Sequence, residues 1–344
     1  MNMERFRDKL MTALREYTGE EAEIRTEGIR KNNGVMLTGI YVYRKGVDVT
    51  PTIYLEEYYK RYEEGETFAS IMREITGLLE EKGRVSGFDV SSFTSFESAS
   101  GRIVMKLINA EKNRELLESV PHIPFLDLAI VFYYILGDVD YGNASIQINR
   151  KHMEMWGADM EDICELARKN SPVLLPGEIL PMEELMRGIL TQDVKRNMKD
   201  QVDESELEEM VEGMMNCALG GNDAGIPMFI LTNSRRYFGA AALLYPDILE
   251  SFAERTGGGI FILPSSIHEV ILLADDGTMD VRELREMVRT VNETQVAAEE
   301  VLSDEVYYYD PAERQVKIMS CADRAAGYED DEISLDEEEL EVTV

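Results

Sequence analysis

The sequence predicts an α+β protein, and three observations carry that reading. Apolar stripes at helical spacing and continuous apolar runs of strand length both recur along the 344 residues. Several strand-like runs come in pairs joined by short polar turns, so antiparallel hairpins are expected. The chain is also long for one hydrophobic core and comfortable for two domains. The expected division is an N-terminal α+β module over 1–148, a helical joint with a methionine-rich insertion over 149–225, a C-terminal α+β module over 226–320, and an acidic, disordered tail over 321–344.

The first module opens with Phe6, Leu10, Leu14 and Tyr17 on one helical face, ended by Gly19. Two strands, Ala22–Ile29 and Val35–Tyr43, are joined by Lys31-Asn32-Asn33-Gly34, where Asn-Gly supplies the positive φ of a hairpin turn. After Pro51 come two helices, the second with Thr67 as N-cap and Phe68, Ile71, Met72, Ile75 and Leu79 inward. Tyr54, Tyr58, Tyr59 and Tyr62 lie beside glutamates and are read as half-buried packing, not as a stacking platform. The runs Arg102–Ile108, Leu126–Leu136 and Ala144–Ile148 are β-branched and aromatic and are expected to form the strands of a mixed sheet.

From Asn149 the chain reads as a short helix, a break at Gly157 and a second helix, with His152 and Trp156 paired four residues apart as packing. Residues 171–223 are punctuated by Pro and Gly and then become charged and rich in methionine. Met198, Met210, Met214 and Met215 suit gap-filling packing, with an adaptable protein-binding face as the other reading. Gly220, Gly221 and Gly225 release the chain into the closing module.

That module is expected to run ββαββαββ. Met228–Leu231 and Gly239–Leu244 are its first strands, around a polar turn. Pro246 and Asp247 open a helix that Gly257-Gly258-Gly259 ends. A phosphate cradle would follow a strand and open a helix, the reverse of this order. Ile260–Leu263 and Val270–Leu273 are continuous apolar runs, as central strands covered on both faces require. A second helix starts at the Asp280/Glu283 capping box, and a hairpin turning at Asp310-Pro311 closes the module.

Composition excludes several functions. With 67 acids against 35 bases, the net charge of −32 repels the phosphate backbone on which nucleic-acid affinity rests. No stretch approaches the roughly 20 apolar residues that span a bilayer, and the N-terminus lacks the pattern of a signal peptide, so no membrane partner and a cytoplasmic location are expected. Cys164, Cys217 and Cys321 lack CxxC spacing, and His122, His152 and His268 lack helical ligand spacing; no metal and no cofactor are expected.

Polar residues that look placed for a purpose concentrate between Met228 and Leu273. Asn233, Arg235 and Arg236 offer donors to a carboxylate or phosphate, and as a turn they need no such role. Ser265, Ser266, His268 and Glu269 raise the thought of a hydrolase. If a strand begins at Ser266, then Ser266 and His268 share a face about 7 Å apart while Glu269 points away, so it cannot orient the imidazole. A nucleophile elbow of the form G-x-S-x-G is missing from the sequence. The plainer expectation is that the serines cap turn amides and His268 hydrogen-bonds at a strand start. Adjacent carboxylates such as Glu56 and Glu57 point to different sides of a helix and suit solvation.

The segments TPTIYLEEYYKRYEEG, HMEMWG, LTN, GAAALLY, ILPSSIHEVILL and LSDEVYYYD resemble a bacterial family, domain of unknown function 5688, over nearly the whole chain apart from the tail. HMEMWG and ILPSSIHE are also similar to domain of unknown function 1444. The resemblance implies a cytoplasmic bacterial protein without assigned activity, and carries over no catalytic residue. The expected function is therefore a non-enzymatic binding or regulatory module with a protein or small-molecule partner. The alternative is a hydrolase-like enzyme using His268 with Ser265 or Ser266.

Overall fold

The computed structural model describes residues 1–19, 22–45, 51–82, 90–136, 145–198, 203–218 and 227–320. The acidic tail and Gly220, Gly221 and Gly225 lie outside them. Among the described residues helices combine with three antiparallel sheets, so the fold is α+β as the sequence predicts.

The N-terminal unit comprises α1 (Met3–Thr18), β1 (Glu23–Arg30), β2 (Met36–Tyr43), β3 (Ile53–Tyr54), α2 (Leu55–Glu63) and α3 (Phe68–Lys82). Asn2 caps α1 by accepting from the Arg5 amide at 3.1 Å, and Gly19 ends it at φ 73°. The hairpin turn forms where Asn-Gly places it, with Asn33 and Gly34 at φ 59° and 70°. Phe6, Leu10 and Leu14 meet Ile71, Ile75, Ile40 and Ile53 in a core of the unit's own.

Next come α4 (Val90–Thr94), α5 (Phe96–Ala99), β4 (Ile103–Asn109), α6 (Arg114–Leu117), β5 (His122–Phe125), β6 (Leu128–Ile135) and β7 (Ser145–Gln147). β6 pairs with β4, β5 and β7. Strand β5 was not legible in advance because Pro124 interrupts it, a residue tolerated on an edge strand. Helices α7 (Arg150–Trp156) and α8 (Met160–Leu174) follow, separated by Gly157 in the left-handed region. His152 serves the Asn149 capping box and meets Phe93 edge-on, 5.0 Å between ring centroids, so its expected packing role holds.

Strand β8 (Gly177–Pro181) rises inside the stretch read as a helical joint. It pairs with β9 (Met228–Asn233) and is the edge of a six-stranded sheet. Between them lie α9 (Met182–Met198) and α10 (Glu204–Ala218), whose Val194, Val211 and Met215 pack together while Met214 is exposed. The sheet is completed by β10 (Ile260–Leu263), β11 (Val270–Ala274), β12 (Tyr307–Asp310) and β13 (Gln315–Ile318), with α11 (Ile248–Thr256) and α12 (Val281–Thr294) in the connections. β10 shows why its apolar run is continuous: Ile260 and Ile262 enter the main core, while Phe261 and Leu263 enter a second core beneath α12. The main core draws on residues before 148, on α7 and α8, and on residues after 226.

One predicted strand is not a strand, and the expected ββαββαββ order changes with it. Residues Gly239–Leu244 form a buried 3-10 turn. A short apolar run cannot be assigned to strand or helix by periodicity alone, and here two local constraints decide. Phe238 adopts φ 58°, turning the chain out of extended geometry. Gly239 then lies so close to Thr232 and the His268 carbonyl that a Cβ would collide with both.

The N-terminal unit is tied to the body by asparagines. Asn33 Nδ2 donates to the carbonyls of Ala298 (2.9 Å) and Val301 (2.7 Å), and Asn32 Nδ2 donates to that of Glu299 (2.7 Å). Asn113 Nδ2 donates to Asn33 Oδ1 at 2.9 Å, and the Asn33 amide donates to Asn113 Oδ1 at 2.8 Å. Asn109, at the end of β4, donates to the Leu302 carbonyl at 2.9 Å. The hairpin turn is thus clamped between β4 and the 298–302 loop.

Because Gly239 fixes both the 3-10 turn and the segment carrying His268, Gly239→Ala is expected to lower the unfolding free energy by about 2–3 kcal/mol through overpacking. A urea titration measures this, and an unchanged midpoint contradicts the packing described.

Candidate functional site

Strand β4 reads Ile-Val-Met-Lys-Leu-Ile-Asn, and every residue is buried. Alternation sends Ile103, Met105 and Leu107 into the main core and leaves Val104, Lys106 and Ile108 on the opposite face. Lys106 is therefore a lysine held inside the protein at 6 % exposure. Its ammonium nitrogen lies 4.7 Å from the Phe238 ring centroid and 5.2 Å from that of Tyr133. Among the described residues no carboxylate comes within ion-pair distance of it. Burial pushes the amine down to about 7, the nearby Lys31 adds to that shift, and Glu300 opposes it. The two ring faces also favour the charged form.

Lys106 forms part of the wall of a cavity of about 1100 Å³ between the N-terminal unit and the body. The latched turn supplies Lys31 and Asn32, and α2 with the residue before it supplies Tyr54 and Glu56. The sheet around β6 supplies Tyr133, Ser145 and Gln147, and the loops supply Tyr237, Phe238, His268 and Glu300. Lys31 lies 3.9 Å from the Tyr54 ring centroid. Other bases on the wall already have partners, with Arg30 on Glu115 and Lys112 at 3.8 Å from Asp304. Tyr237 is within 2.8 Å of Ser145, hydroxyl to hydroxyl, and burial raises its phenol above the ordinary range.

Polar atoms without partners gather at this cavity. Among the described residues, Asn32 Oδ1, Gln147 Nε2 and His268 Nδ1 are buried and lack a hydrogen-bond partner, and all three residues line the wall. Buried polar groups in folded proteins are nearly always satisfied, so three such atoms on residues of one wall mark it as a place where polar partners are missing.

The predicted site residues separate. Asn233 is fully buried and structural: Nδ2 donates to the Tyr237 carbonyl at 2.8 Å, while Oδ1 accepts from the Arg235 and Tyr237 amides at 3.1 and 3.2 Å. This ring of bonds aims Tyr237 and Phe238 at the cavity. Arg235 and Arg236 are exposed and away from it. Ser265 and Ser266 are buried and do not line it, and Ser266 Oγ accepts the His268 amide at 3.0 Å. Ser266 thus caps a turn amide, as its plainer reading has it. No strand begins at Ser266; it forms one bridge with Val301, and β11 starts at Val270.

Only His268 of the six lines the cavity. Its carbonyl accepts from Thr232 Oγ1 at 2.8 Å, and its Nε2 lies 3.5 Å from Glu300 Oε1, so its acid comes from a distant loop and not from Glu269. The His268 contact holds the Glu300 carboxyl below its usual range against the opposing effect of burial. Glu269 is raised, chiefly by burial. Lys31, Lys106 and Glu300 escaped the sequence reading. Lys106 alone left a signal there, as the one charge inside an otherwise apolar strand.

Among the described residues no group of His, Cys, Asp and Glu is arranged to hold a metal ion, and no helix is long and apolar enough to cross a membrane. A family of unknown function (DUF5688) matches residues 3–311, and the chain belongs to it. No curated protein and no solved structure matches.

An amine depressed by burial binds more protons when the chain is unfolded, so between its folded and unfolded values stability rises with pH. Lys106→Met removes that contribution. The variant is expected to be more stable than the parent at pH 7, and its advantage should shrink towards pH 10, the steepest fall being about 1.4 kcal/mol per pH unit. Denaturant titrations across this range read the difference; an advantage independent of pH contradicts the buried, unpaired amine.

Proposed function

We propose that this member of the DUF5688 family is a non-enzymatic binding protein that holds a small anionic organic molecule in the cavity beside Lys106. The observation that carries the reading is a lysine without an acid partner among the described residues, on a wall that also gathers the unsatisfied Asn32, Gln147 and His268. A buried cation is costly unless something compensates it, and a carboxylate or phosphate would do so here. Lys31 on the same wall supplies a second cation. In a chain of net charge −32, such a pocket discriminates among anions by close contact and not by long-range attraction. Tyrosine and phenylalanine rings offer an apolar body to the rest of the ligand.

The hydrolase alternative draws no support from the geometry, since Ser266 is committed to the His268 amide and neither serine lines the cavity. A cytoplasmic, bacterial setting belongs to the proposal, and three scattered cysteines suit a compartment that keeps thiols reduced.

A thermal-shift screen of small carboxylates and phosphates tests the reading. A true ligand at a hundredfold excess over its Kd stabilises by about 2.7 kcal/mol, and Lys106→Met should weaken its binding about tenfold or more, equivalent to about 1.4 kcal/mol. Ligands that bind equally well to Lys106→Met, or a screen of both classes without saturable stabilisation, would overturn it.

A further inference from the structure

The binding reading leaves one feature unused. Two cations on one wall suit an anion, but their closeness does one thing more, because Lys31 is near enough to push the Lys106 amine down. Desolvation together with a neighbouring cation is the arrangement that makes a lysine nucleophilic at neutral pH, because it raises the share of uncharged amine. Geometry agrees with this division of labour. Lys106 is on the cavity side of β4 near the Tyr133 and Phe238 rings, whereas Lys31 comes from the hairpin turn. On the same wall, the pair of His268 and Glu300 can carry a proton.

We propose that Lys106 captures a small carboxylate-bearing aldehyde or ketone as a Schiff base, with Lys31 holding the carboxylate. This rests on the cavity being the ligand site. The amine lone pair attacks the carbonyl carbon, a C–N bond forms, and the carbonyl oxygen takes up a proton to give a carbinolamine. The nitrogen then loses a proton, the hydroxyl leaves with a second proton as water, and the C=N nitrogen gives up its remaining proton. Amine and carbonyl compound give imine and water, with no oxidant or reductant. His268, with Glu300 as its ionised partner, is the group that lends and recovers the proton.

The test uses the full chain with 4-carboxybenzaldehyde as probe and cyanoborohydride to fix any imine, read by peptide mass mapping at pH 7. One dominant adduct at Lys106, forming about tenfold faster than at any other lysine, is expected from its larger uncharged fraction. Lys31→Met should slow that adduct, and the non-carbonyl analogue 4-(hydroxymethyl)benzoate should protect Lys106 in the unaltered chain. Adducts spread over surface lysines with Lys106 unfavoured, while the analogue still stabilises the protein through Lys106, would overturn the Schiff base and leave the binding reading standing. Neither labelling of Lys106 nor stabilisation by the analogue would overturn both.

Discussion

The clamp of Asn32 and Asn33 on the 298–302 loop is the interaction on which the rest of the arrangement depends. The N-terminal unit has its own apolar core, so its position over the body is held at this end by directional hydrogen bonds. Those bonds serve two ends. They satisfy backbone carbonyls of a loop that would otherwise lack partners, and they set the turn carrying Lys31 opposite the strand carrying Lys106. Remove the clamp and the cavity loses one wall.

A second constraint sits inside that cavity. Strand β4 is buried on both faces, and an apolar residue at position 106 would suit it better than a lysine. Retaining an amine there costs stability, and functional sites are where such costs are tolerated. The same logic applies to His268, whose backbone is pinned by Thr232, Ser266 and the close approach of Gly239, while its ring keeps one nitrogen without a partner among the described residues. Rigid backbone with unsatisfied side-chain atoms is what a preorganised binding wall requires.

Much of the architecture was legible in the sequence because the relevant signals are local. Asn-Gly set the first hairpin, Gly257 the end of α11, and the unbroken apolar run of β10 its burial on both faces. The 3-10 turn at Gly239–Leu244 was not, since its shape goes with the positive φ of Phe238 and the close approach of Gly239 to Thr232 and the His268 carbonyl. The site was legible in only one of its parts. His268 could be named from its place between apolar strands, but its partner Glu300 comes from a loop that no spacing rule connects to it. Lys106 was overlooked because one charge within a strand reads as an edge or an irregularity until alternation and pairing show which face it occupies.

The central claim is that Lys106 is an unpaired amine within a binding cavity, and its own titration tests this most directly. In protein labelled with carbon-13 at the lysine side chains, the ε-carbon resonance of Lys106, assigned by its loss in Lys106→Met, should titrate near the depressed value of about 7 and not in the ordinary lysine range of about 10.4. A Lys106 resonance that titrates in the ordinary lysine range would mean a solvated or acid-paired amine, and would contradict the account.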